Sequence, residues 1–239
     1  GAFSLGMSDY FQILGQFEEG PWGAASFDLN FPGLDHPLTK ATWNPEPYRN
    51  RVNAVYANPP CACWSMVGSG LGAADPRLQY TYNAAQLALD LHPDFFVVES
   101  VCRAWSTGKE VYKGIAERFK DQGYAITYLL TNSILHGAPQ FRERFHLIAH
   151  RYELPLVTPG APLPLPTVAQ AFAGLGPAAW LGEGESKVPN HVINHPSTYE
   201  LEVFNELKPG EGYNRAIERL VERGFPSKRG RLLAKRLHP

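Results

Sequence analysis

Cysteine is scarce in this chain. Three in 239 residues are too few for a disulfide framework, so free thiols in a reducing compartment are expected. No apolar run approaches the roughly 18 residues that a membrane span needs, and no basic-then-apolar secretory pattern is present. The expected location is therefore the cytoplasm, with no membrane partner. Paired zinc-ligand spacings are missing too. Cys61 and Cys63 are accompanied by neither a C-x₂-C nor an H-x₃₋₅-H set, so no metal is expected. Internal repeats are absent. What remains is an ordinary globular composition, 44% hydrophobic and 19% charged, long enough for one domain with a smaller appendage.

Charge is low overall but uneven. Within a chain of net −1, Lys208 to Pro239 carries nine Lys and Arg against three Glu, a local +6. Such a block suits a phosphate-facing surface. It equally suits a solvated helix whose Glu218, Arg219, Glu222 and Arg223 pair among themselves.

Up to residue 150 the pattern alternates between extended and helical. "YFQILGQFE" (10–18), "RVNAVYANPP" (51–60), "DFFVVES" (94–100), "AITYLLTNS" (125–133) and "RFHLIAHR" (144–151) read as strands. "DPRLQYTYNAAQLALDLHP" (75–93) reads as a helix stopping at Pro93, and "GKEVYKGIAERFKDQGY" (108–124) as an amphipathic helix ending near a glycine. Strand–helix–strand repetition predicts an α/β fold with a doubly wound, mostly parallel sheet. Five prolines between Leu154 and Pro166 predict a stiff linker. The expected organisation is a domain at 1–153, the linker at 154–166 and a smaller, incomplete unit at 167–239.

In open α/β sheets, reactive groups gather beyond the carboxyl ends of strands. That rule selects Cys61, Glu99, Gln140, Arg142 and Arg144. Each has a plain alternative: a buried thiol, a capping acid, an exposed edge strand. Pro59-Pro60 fixes the backbone just before Cys61, which fits either a strand exit or a presented nucleophile.

In order along the chain these segments resemble the DNA (cytosine-5)-methyltransferase family. "NPPCACWS" is similar to its Pro-Pro-Cys nucleophile loop. "VVESV" is similar to its Glu-Asn-Val motif, with Ser100 in the Asn place, and "HGAPQFRERFHLIA" to its Gln-x-Arg-x-Arg strand. "GAFSLGM" resembles the tail of the glycine-rich cofactor loop, and "FEEGPWGAASFDLNFP" the second-strand motif whose acid holds the cofactor ribose. "TVAQAFAGL" and "ELKPGE" extend the likeness weakly beyond residue 150.

The resemblance implies a Rossmann-like methyltransferase domain with S-adenosylmethionine as donor and double-stranded DNA as partner. It makes Cys61 the nucleophile toward C6 of cytosine, which renders C5 nucleophilic. Glu99 is the acid at N3, Arg144 the partner of O2 and of Glu99, and Arg142 a supporting charge. Gly1, Phe3, Gly6, Glu18, Trp22, Asn58 and Pro60 fall to the donor, with Glu19 the competing acid beside Glu18. Ser65, Gln140, Arg229 and Arg231 fall to the DNA or to the loop facing it. The target base must be flipped out of the duplex, and the glycine-containing loop 65–75 is either a lid or a plain surface loop.

Three departures stand out. The family's opening Asp-Leu-Phe-x-Gly is missing, "TKATWNPEP" stands where a Gly-Asp-Ile is usual, and the ninth and tenth motifs do not follow "LLAKRLHP". A monomer is expected, alone or with a complementary C-terminal segment or chain, in a bacterial or phage DNA-modification setting. Two other readings stay open: a non-catalytic or split-enzyme DNA-binding subunit, and the same chemistry on tRNA cytosine or with a modified donor.

Overall fold

The computed structural model describes residues 2–18, 20–34, 44–65, 71–151, 160–180, 187–188 and 191–225. Gly1, Glu19, residues 66–70 of the 65–75 loop, Arg229 and Arg231 lie outside the described residues. Two compact units emerge, Gly1–Pro166 and Thr167–Pro239.

The first unit runs α1 (Ala2–Met7), α2 (Pro21–Asn30), β1 (Ala54–Ala57), α3 (Leu78–Leu91), β2 (Phe95–Val101), α4 (Arg103–Thr107), α5 (Lys109–Lys120), β3 (Ala125–Asn132) and β4 (Glu143–His150). Its sheet has the order β1-β2-β4-β3. β1 and β2 are parallel, Ala57 opposite Val98. β4 lies antiparallel between β2 and β3, with Glu99 opposite His146 and Thr131 opposite Arg144. The class is α/β and Rossmann-like, and the described sheet is mixed rather than mostly parallel. The reason is the β3–β4 hairpin, which inserts its second strand beside β2.

The two long helices follow their apolar periods. α3 buries Leu78, Thr81, Ala85, Ala88 and Leu89. It ends where His92 turns left-handed at φ 54°, just before Pro93, which disfavours helix in the residue ahead of it. α5 buries Tyr112, Ile115, Ala116 and Phe119, and Gly123 at φ 83° supplies the turn into β3. Strand side chains alternate. Phe96, Val98 and Ser100 therefore face α5, where Phe96 stacks on Phe119 at 4.8 Å. Val97, Glu99 and Val101 face the other way.

The expected strand over 10–18 does not form; only an isolated bridge at Phe17 remains. Tyr10, Phe11 and Phe17 stay exposed, so the period of two has no core to bury against. Helix α2 follows instead, started by Gly20 with Pro21 at its first position. The described end of the proline-rich segment does not hang free: the Leu163 amide donates to the Leu135 carbonyl at 3.0 Å.

The second unit comprises α6 (Val168–Phe172), a two-stranded parallel pair β5 (Ala179–Trp180) and β6 (Val192–Ile193), α7 (Thr198–Glu206) and α8 (Tyr213–Glu222). Capping boxes at Thr167/Gln170 and Ser197/Glu200 start α6 and α7. Val203 packs against Ala216, Ile217 and Leu220. Arg215 pairs with Glu218, Arg219 with Glu206 and Glu211, and Arg223 with Glu206. The three described arginines of the basic block are thus each paired with a nearby Glu.

Candidate active site

β1 ends at Ala57, and Asn58-Pro59-Pro60 carries the chain out to a tight turn at Cys61–Cys63. The Cys61 carbonyl accepts from the amides of Trp64 and Ser65, both at 3.0 Å. Those two bonds pin Cys61 at the head of the turn, half-buried. Cys63 is 2% exposed, its Sγ 3.7 Å from the Pro60 carbonyl. Burial, then the charge of Asp75, pushes the Cys63 thiol up. The two cysteines thus have different surroundings, one at the opening of the turn and one in the core.

The parallel β1–β2 register brings the residue after β1 next to the end of β2. The Asn58 amide donates to Glu99 Oε2. Glu99 Oε1 meets Arg144 Nε at 2.6 Å. Arg144 arrives from β4 opposite Val101, on the same sheet face as Glu99. Glu99 is 8% exposed. Burial pushes its carboxyl up against the pull of Arg144 and Arg142, and burial prevails. The carboxyl therefore keeps its proton to a higher pH than an exposed one.

Arg142 and Gln140 sit on the hairpin just before β4, both exposed. The Arg142 amide donates to Asn132 Oδ1 at 3.1 Å, and Ser133 Oγ donates to the Gln140 carbonyl at 2.6 Å. Asn132 and Ser133 thereby fix where the two side chains start. Of the residues expected here, Asn58, Glu99 and Arg144 are in direct contact, and Arg142 acts on Glu99 through its charge.

Two neighbours escaped the sequence reading. Tyr56 lies opposite Val97, two residues before Asn58 and on Glu99's face; burial, then the Glu99 charge, pushes its phenol up. His146 stands across from Glu99, its Nε2 3.0 Å from Thr131 Oγ1. Burial, then Arg144 and His136, pushes its imidazole down, which favours the neutral ring. The signal available was the strand period, since 56 precedes 58 by two and 146 follows 144 by two.

The remaining expected residues lie on α1, on or just before α2, and beside the Cys61 turn. Phe3 stacks on Tyr56, centroids 3.3 Å apart. A Cβ at Gly6 would meet no other part of the described residues within 4 Å. Glu18 Oε1 accepts from the Gly20 amide at 2.9 Å. Its carboxylate also lies over Gly23, where a Cβ would come within 2.5 Å of it. The acid is therefore seated at the positive end of α2 in a place that only glycine at 23 leaves open. Trp22 is exposed, Pro60 heads the turn, and Ser65 is half-buried.

A family model, C-5 cytosine-specific DNA methylase, matches residues 1–218. The type II methyltransferase M.MthTI of Methanothermobacter thermautotrophicus is 36% identical over 106 residues, 44% of this chain and 32% of that protein. M.AquIA of Picosynechococcus is 31% identical over 109 residues, 42% of this chain and 44% of its own. M.HgiDI of Herpetosiphon aurantiacus is 27% identical over 231 residues, 91% of this chain and 70% of its own. The matches thus span less than half of the first two relatives. Among solved structures, a putative DNA modification methyltransferase encoded within an E. coli prophage superposes with a TM-score of 0.57 at 20% identity, covering 93% of this chain and 66% of that one. That likeness shows the fold.

Proposed function

The chain belongs to the C-5 cytosine-specific DNA methylase family, and on that premise we propose that it transfers a methyl group from S-adenosylmethionine to C5 of a cytosine flipped out of duplex DNA. The reaction passes through a transient bond between Cys61 and C6 of the ring. What supports this most is the Glu99–Arg144 pair, 2.6 Å apart, at the carboxyl end of β2 and beside the strand that leads to Cys61.

The Cys61 thiolate adds to C6 while Glu99 gives its proton, or a hydrogen bond, to N3. Electron density then collects at C5. A carboxyl whose pKa burial raises holds a proton to give over a wider range of pH than an exposed one, which suits that task. In the free protein both Glu99 oxygens are already acceptors, from Asn58 and Arg144. The exposed Asn58 is the partner that yields when the base enters, while Arg144 holds Glu99 and reaches O2. Arg142 adds positive charge at the same edge. C5 takes the methyl group, its proton leaves to water, the Cys61–C6 bond breaks to release the thiolate, and N3 returns its proton to Glu99.

S-adenosylmethionine, when bound, supplies the electrophilic methyl. Glu18 fits the ribose hydroxyls, because among the described residues its Oε1 takes the Gly20 amide and its Oε2 has no hydrogen-bond donor. Phe3, Gly6, Trp22, Asn58 and Pro60 complete the assignment. Residues 1–153 form the catalytic part and 167–239 part of the target-recognition region. Ser65, Gln140, Arg229 and Arg231 contact DNA or the loop facing it.

The test is nucleoside mass spectrometry of DNA incubated with the protein and S-adenosylmethionine. 5-Methyldeoxycytidine is expected, and a duplex bearing 5-fluorocytosine should trap a covalent complex. Retention of duplex with neither product would favour a purely DNA-binding role. 5-Methylcytosine in tRNA alone would move the substrate class.

A further inference from the structure

Burial does not explain why the chain just before β4 stands where it does. Gln140, Phe141 and Arg142 are all exposed, Phe141 at 73%, so side-chain packing is not what anchors the segment leading into Arg144. Hydrogen bonds from the end of β3 do so instead. Asn132 Oδ1 accepts two amides from opposite ends of the β3–β4 connection, Ile134 at 3.3 Å and Arg142 at 3.1 Å. Beside it the Ser133 amide donates to the Arg142 carbonyl at 3.0 Å, and Ser133 Oγ donates to the Gln140 carbonyl at 2.6 Å. Between them Gly137, left-handed at φ 79°, turns the chain back.

An asparagine that only capped the tight turn at Ser133–His136 would need the Ile134 bond alone. The second bond crosses to the returning chain, and one amide oxygen with two lone pairs serves both donors. Both main-chain groups of Arg142 are thereby held, its N–H by Asn132 and its carbonyl by Ser133. Two residues on, Arg144 reaches Glu99 at 2.6 Å. The short run from 142 to 144 is therefore fastened at one end by Asn132 and at the other by Glu99. Because β4 runs antiparallel to β2, this fastened start lies at the carboxyl end of β2, the edge that holds Glu99. We propose that Asn132 is a positioning residue for the reaction, its side-chain oxygen setting the main chain from which Arg142 is presented at the active edge. This rests on the function and on the role given above to Arg142. A long, flexible guanidinium arm reaches a defined place only from a defined starting point, and small misplacements are expensive in rate.

Hydrogen exchange and steady-state kinetics on the full chain test this with Asn132→Asp, Asn132→Leu, Arg142→Ala and the double variant Asn132→Leu/Arg142→Ala. Aspartate keeps the accepting oxygen, whereas leucine keeps the bulk and loses it. Asn132→Leu should raise exchange in the peptide covering 133–142 about tenfold, the size of one lost hydrogen bond. Peptides from β2 and α5 should keep wild-type protection, and Asn132→Asp should stay near wild type throughout. Methylation kcat should fall about tenfold in Asn132→Leu with KM for S-adenosylmethionine unchanged, and recover in Asn132→Asp. The double variant should be no slower than Arg142→Ala, because the two residues act as one. Tyr124→Phe is the control: its phenol donates to the Pro93 carbonyl at 2.7 Å, at the far end of β3 from Asn132. It should lower the melting temperature without the local exchange or the loss of kcat. Unchanged exchange over 133–142 in Asn132→Leu, an equal loss of kcat in Asn132→Asp, or a double variant slower than Arg142→Ala overturns the proposal. If wild type methylates no DNA, the reading of the function fails by itself, and the exchange pattern still decides whether Asn132 holds this edge.

Discussion

At residue scale the two cysteines of the turn are chemically identical and physically unlike. Cys63 is packed in the core, its thiol pushed up by burial, so it is a poor thiolate source. A 5-fluorocytosine duplex should therefore cross-link to Cys61 alone. Cys61→Ser should abolish both adduct and methylation. Cys63→Ser should keep both while losing about 1–2 kcal/mol of stability for the buried hydroxyl. An adduct mapped to Cys63 by peptide mass spectrometry would reverse the assignment. Glu99 makes a second prediction, on pH. Its carboxyl is held above the ordinary 4.5 because burial outweighs two guanidinium groups. A raised folded-state pKa means the group's stabilising contribution is complete below the ordinary carboxyl range and is lost as pH rises through the folded value. Melting curves of wild type and Glu99→Gln between about pH 4 and pH 8 should show wild type losing ground to the variant as pH rises. The activity requiring the protonated acid should fall over the same window. A difference that is flat or opposite in sign would mean the arginines, not burial, control Glu99.

At the scale of elements, what could be read from sequence follows what is local. α3 and α5 announce themselves by apolar spacing, and β2 by the run "FFVV", of which Phe96 and Val98 fill the core side of the sheet. The Cys61, Glu99 and Arg142/Arg144 segments were legible as motifs. Asn58, Tyr56 and His146 were not legible as neighbours of Glu99, because their contacts depend on the register between strands about 40 residues apart. Segment 10–18 failed for the complementary reason: it has a strand's alternation but no neighbouring ladder to satisfy it. Helix α2 was hidden by Gly20-Pro21, which reads as a turn until Glu18 is seen seated against it. That seat yields a prediction. Gly23→Ala improves helix propensity by about 1 kcal/mol, so α2 should not weaken. Yet the new methyl would displace the Glu18 carboxylate. Calorimetry should show weaker S-adenosylmethionine binding in Gly23→Ala, matching Glu18→Gln, with melting temperature preserved. Unaltered affinity in both variants would remove Glu18 from the donor site.

At the scale of the whole molecule, the basic C-terminal block divides into two populations of charge. Arg215, Arg219 and Arg223 spend their guanidinium groups on Glu218, Glu211 and Glu206, and Arg219 also donates to the Glu206 carbonyl. The contacts with Glu206 tie α7 to α8, so the charge is balanced where it stands and little is left for a phosphate. Arg229, Arg231 and Arg236 are in a stretch with no acidic residue after Glu222, so their charge has no local counterweight in sequence. If they neutralise phosphates, replacing all three with Ala should flatten the slope of log affinity for duplex DNA against log salt by at most about three units. Arg219→Ala should do the reverse: melt the second unit earlier, read by circular dichroism at the helix band, and leave the salt slope of the folded protein as it was. The two variants thus separate structural from DNA-facing charge in one titration. A slope unchanged by the triple replacement, or flattened by Arg219→Ala while the fold persists, would place the DNA-facing charge on α8 instead of beyond it.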